Sequence, residues 1–78
     1  MPRYRRALVR GEPARYWDYA DGHLHLRHPE GVEETEIPVA HLTSDWHMED
    51  HYARLRTKTW VTTAAIDELR EIAAGARP

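Results

Sequence analysis

The chain has 78 residues, with 11 Lys and Arg against 13 Asp and Glu, six His, no Cys and a formal net charge of −2. Area scaling for a chain this small leaves roughly 63% of the unfolded surface buried, enough for one modest core, so residues 1–78 are expected to form a single domain. The lack of Cys excludes disulfides, thiolate zinc sites and Cys nucleophiles, and near-balanced charge with 41% hydrophobic residues does not fit a disordered chain.

The Arg-bearing N-terminus lacks the apolar stretch of a signal peptide, since Ala7-Leu8-Val9 is ended by Arg10. No apolar run approaches the ~20 residues of a membrane span. The expectation is a cytoplasmic protein with no membrane partner. A core of this size rests on apolar burial alone, which favours self-association, so a homodimer is one expected assembly.

In chain order, a strand over Tyr4–Arg10 is expected before the Gly11-Glu12-Pro13 turn. Asp21-Gly22 is a two-residue hairpin signal between strands over Ala14–Ala20 and His23–His28. Pairing across that turn sets Tyr19 opposite Leu24, Asp18 opposite His25, Trp17 opposite Leu26 and Tyr16 opposite Arg27. Trp17, Tyr19, Leu24 and Leu26 then share the core face, and Asp18, His25 and Arg27 the other. A third strand after Pro29-Glu30-Gly31 enters with His28 opposite Glu33, which brings Leu24 to Ile37, His25 to Glu36, Leu26 to Thr35 and Arg27 to Glu34. After Pro38 the period lengthens. Ser44 caps a helix with Met48, Tyr52 and Leu55 along one stripe, and Thr62 or Thr63 caps a second with Ile66, Leu69, Ile72 and Ala73 inward, stopped by Gly75. Trp60 and Val61 are expected to plug the space between helices and sheet. The fold class is therefore α+β: an antiparallel meander of three to four strands followed by two helices packed on one face.

His23-Leu24-His25-Leu26-Arg27-His28 spells HxHxxH, which resembles the first zinc motif of metallo-β-lactamase-type hydrolases, with Arg27 standing where that motif carries Asp. The resemblance implies zinc bound by His23, His25 and His28. Strand alternation instead sends His23 and His25 to one face and His28 to the other, so the three do not converge without a bulge. His47 and His51, at i and i+4 of a helix, share a face and form the better metal candidate, with His41 or Asp50 as a third ligand. The plainer account makes both polar flanks of the Met48/Tyr52 stripe, and no metal or other cofactor is expected.

No catalytic apparatus is visible: the four Gly are scattered, and the one Ser, Ser44, is at a capping position. No carboxylate is flanked by the apolar pocket that would tune it for acid–base work. The chain reads as a non-enzyme.

Charge is distributed unevenly. Arg3, Arg5, Arg6, Arg10 and Arg15 face only Glu12 in the first 15 residues, whereas Glu30, Glu33, Glu34, Glu36, Asp45, Glu49 and Asp50 occupy 28–53 with no Lys or Arg between them. Opposed patches favour oriented contact with charged partners. The leading expectation is a protein-binding module whose acidic residues (Glu30, Glu33, Glu34, Glu36, Asp45, Glu49 and Asp50) meet a basic, nucleic-acid-binding partner protein. An inhibitor or accessory protein of the mobile-element or phage type, anti-CRISPR-like in its use of acidity, is its concrete form. The alternatives are a nucleic-acid-binding module using Arg3, Tyr4, Arg5, Arg6 and Arg10, or metal binding by His47 and His51.

Overall fold

The computed structural model describes residues 17–28 and 30–77. The expected strand over Tyr4–Arg10, the first residues of the strand expected over Ala14–Ala20, and the Tyr16–Arg27 pair lie outside these residues. Strands β1 (Asp18–Ala20), β2 (His23–Arg27) and β3 (Glu34–Pro38) form one antiparallel sheet in the order β1-β2-β3. Helices α1 (Asp45–Leu55) and α2 (Thr63–Gly75) follow, giving an α+β arrangement.

The hairpin between β1 and β2 turns on Asp21 and Gly22, with φ of 52° and 75°, the two positive values that a type I′ turn demands. Register follows: Asp18 pairs with His25 and Tyr19 with Leu24, while Leu24 pairs with Ile37, His25 with Glu36 and Arg27 with Glu34. The amide of His28 donates to the carbonyl of Glu33 at 2.8 Å, closing the second turn. With side chains alternating along each strand, Leu24, Leu26 and Ile37 are fully buried, and His23, His25, Arg27, Glu34 and Glu36 take the opposite face.

Ser44 caps α1 by accepting from the His47 amide, and Thr62 caps α2 by accepting from the Ala65 amide. Met48, Tyr52 and Leu55 of α1 and Ala65, Ile66, Leu69, Ile72 and Ala73 of α2 join Trp17, Leu24, Leu26 and Ile37 in one apolar cluster. Val61 is buried in that cluster, and Trp60 packs against it, as expected of the connection. The Arg70 guanidinium lies 4.2 Å from the centre of the Tyr52 ring, linking the helices. Gly75 differs from expectation. It is the last helical residue and lacks the left-handed φ of Gly22 and Gly31, so α2 ends through ordinary αR geometry at Ala76 and not on a glycine cap. No helix among the described residues is long and apolar enough to cross a membrane.

Candidate functional site

Helix α1 carries its apolar stripe inward, and Trp46 lies about 200° around the helix from Met48. Its indole is accordingly 76% exposed. Asp45, Glu49 and Asp50 surround it, and the four residues line an open concavity of about 580 Å³. The indole is braced from below, because its ring meets the His47 ring edge-on at 5.1 Å between centroids. His47 in turn stacks on His41 at 3.9 Å with 12° between planes. A large aromatic held in place at the surface and rimmed by carboxylates is the chemistry of an interface anchor.

The acidic residues take several different partners. Glu33 accepts from Lys58 Nζ at 2.6 Å. This contact is the leading cause that holds its carboxyl below the usual range; desolvation opposes it, and Coulombic attraction to Lys58, a hydrogen bond from Trp60 and attraction to His28 add to it. Glu34 and Glu36 turn to His25, with Glu34 Oε2 and Glu36 Oε2 at 3.2 and 3.5 Å from its Nδ1. Asp45 pairs with Arg77, and Asp50 with Arg54 at 3.0 Å. Both pairs are exposed, where such contacts contribute little and are readily exchanged. Glu49 makes no ion pair among the described residues, and Glu30 lies exposed in the turn before β3. The structure thus brings Asp45, Glu49 and Asp50 together around Trp46, with Glu34 and Glu36 gathered separately on the sheet. Arg3, Tyr4, Arg5, Arg6 and Arg10 lie outside the described residues.

The six histidines fall in three places. His23 and His25 share the outer face of β2, whereas His28 sits against the Trp60 ring at 5.3 Å, so the HxHxxH residues do divide between the two sides. His41, His47 and His51 meet at the start of α1. His41 Nδ1 and His51 Nε2 are 2.9 Å apart, and an Arg54 guanidinium nitrogen lies 3.2 Å from His51 Nδ1. Because Arg54 can only donate, neutral His51 accepts at Nδ1 and donates from Nε2 to His41. In this arrangement the lone pairs of His41 and His51 are spent on each other and on Arg54. The stacked planes of His41 and His47 also cannot both contain one metal ion. His47 Nδ1 is within 2.9 Å of Ser44 Oγ. His51 is 8% exposed, and burial is the first cause lowering its pKa, followed by Arg54 and His41. Burial also leads the lowering at His41, followed by His47, Arg54 and His23.

Sequence reasoning passed over Trp46, although its phase opposite Met48 was a usable signal. It also passed over buried Glu68, which falls on the Ala65, Leu69, Ile72 stripe. No family model matches the chain, and neither the curated proteins nor the solved structures gave a significant match.

Proposed function

We infer that the chain is a non-enzymatic protein-binding module whose contact surface is the outer face of α1, with Trp46 as anchor and Asp45, Glu49 and Asp50 as an acidic rim. The observation that carries this reading is the 76% exposure of Trp46 on a regular helix whose other face supplies the core. Tryptophan is the residue type most enriched among interface hot spots, and a surrounding rim of charge sets orientation and partner choice. The complementary partner carries an apolar pocket rimmed by Lys or Arg. A nucleic-acid-binding surface fits that description, and occupying it is how a small inhibitor of the mobile-element type would act.

The test is affinity capture with three baits: the wild-type protein, Trp46→Ala and Glu49→Lys. The reading expects a protein that the wild type retains and both variants lose, with an affinity that falls as salt is added. Identical capture by all three baits would remove α1 from the interface. Retention of nucleic acid instead, unaffected by Trp46→Ala, would favour the N-terminal arginines.

A further inference from the structure

We propose that His25 of β2 with Glu34 and Glu36 of β3 forms a divalent-metal site of the zinc type on the outer face of the sheet. The three side chains each offer one donor atom, and these atoms all lie within 4.8 Å of one another. In a tetrahedral site with bonds of about 2.0–2.2 Å, neighbouring donor atoms are about 3.3–3.6 Å apart. Glu34 Oε2 and Glu36 Oε2 stand 3.2 and 3.5 Å from His25 Nδ1, so the spacing already approaches that of a ligand set.

The second nitrogen of His25 supports the assignment independently. Nε2 lies 3.2 Å from the carbonyl oxygen of Ala20, an atom that can only accept, so Nε2 carries a hydrogen. That bond fixes the ring and leaves Nδ1 as the atom turned towards the two carboxylates. A backbone carbonyl on one ring nitrogen and an electrophile on the other is the usual arrangement of a metal-bound histidine. The His25 side chain is 18% exposed, so solvent does little to satisfy Nδ1. Two carboxylates on one imidazole nitrogen call for a positive charge between them, and a cation meets all three donors at once.

The site arises from sheet geometry. His25 and Glu36 are direct cross-strand partners, and Glu34, paired in register with Arg27, reaches diagonally to His25. His23 stands at the rim, its Nε2 3.9 Å from Glu36 Oε1, while its Nδ1 lies 2.9 Å from the Asp21 carbonyl. The protein thus provides three ligands and an open fourth position. Imidazole with carboxylate selects zinc-like cations over magnesium or calcium, which prefer all-oxygen sites.

The experiment is calorimetric titration of the chelator-treated protein with Zn²⁺, together with the visible spectrum after Co²⁺ substitution, which distinguishes tetrahedral from six-coordinate ions by its intensity. The expected result is one ion per chain with an intense cobalt band, weakened about tenfold or more in His25→Ala and in Glu36→Gln but retained in His47→Ala. Glu36 is exposed, so Glu36→Gln keeps the fold, and far-UV circular dichroism checks that it does. Three results would overturn the site: no zinc binding, binding unchanged in His25→Ala, or binding lost in His47→Ala while His25→Ala retains it.

Discussion

The indole nitrogen of Trp17 donates to the carbonyl of Ala65 at 2.9 Å across 48 residues of sequence. Trp17 precedes β1 and is fully buried, so a single side chain fastens the start of the sheet to the first turn of α2. Trp17→Phe keeps an aromatic ring and loses the hydrogen bond, and should cost about 1–3 kcal/mol. Trp17→Ala should cost about 3–5 kcal/mol. Urea unfolding reads both as a lower midpoint at unchanged slope, and a Phe variant as stable as the wild type would show that the bond contributes nothing net.

Trp46 should behave oppositely. It touches His47 but belongs to no part of the apolar cluster, so Trp46→Ala should change stability by no more than about 0.5 kcal/mol. Leu69→Ala, at a fully buried site, should cost about 2–5 kcal/mol in the same assay. If Trp46→Ala proved as damaging as Leu69→Ala, the indole would be a structural residue and its role as an anchor would be withdrawn.

The two glycines with contrasting backbones give a paired prediction. Gly22 has φ of 75° and open space around it, so Gly22→Ala should cost about 1–2 kcal/mol from backbone strain alone. Gly75 also has nothing within 4 Å of an added Cβ but lies in αR geometry. Gly75→Ala should therefore stabilise by about 0.4–1 kcal/mol through the unfolded chain. Thermal midpoints moving in the same direction for both would contradict these conformations.

Acidification should weaken the fold. His41 and His51 both have pKa values lowered from an ordinary 6.5, so the unfolded chain binds their protons more tightly than the folded one. The stability linked to them is fully present above pH 6.5 and is lost as pH falls through the lower folded values. Burial leads at both rings; His47, Arg54 and His23 add to it at His41, and Arg54, His41 and His47 add to it at His51, where Asp50 opposes them. Urea midpoints measured with chelator present should fall between pH 7 and about pH 5, where unperturbed histidines charge. The slope should be shallower in His51→Gln. A profile that is flat, or that rises on acidification, would refute the assignment.

Much of the architecture followed from local pattern. Alternation at period two around Asp21-Gly22 left one register in which Leu24, Leu26 and Ile37 face inward, because a slip of one residue would invert every side chain. Ser44 marked the start of α1 and the Thr62-Thr63 pair that of α2, where the structure selects Thr62, since a cap hydroxyl satisfies an amide that the helix cannot. Even the exposure of Trp46 was readable from its angle to Met48. Period and caps state which side of an element a residue occupies. They do not state which distant neighbour it meets, and that depends on how α1 and α2 settle over the sheet and which rotamers survive packing. Tertiary structure alone therefore decided that Trp17 reaches Ala65, that Glu34 leaves Arg27 for His25, and that Lys58 meets Glu33. It also joined His41 to His51. The seven acidic residues are neighbours in sequence, and folding places Glu34 and Glu36 on β3, Asp45, Glu49 and Asp50 on α1, and Glu30 and Glu33 ahead of the strand.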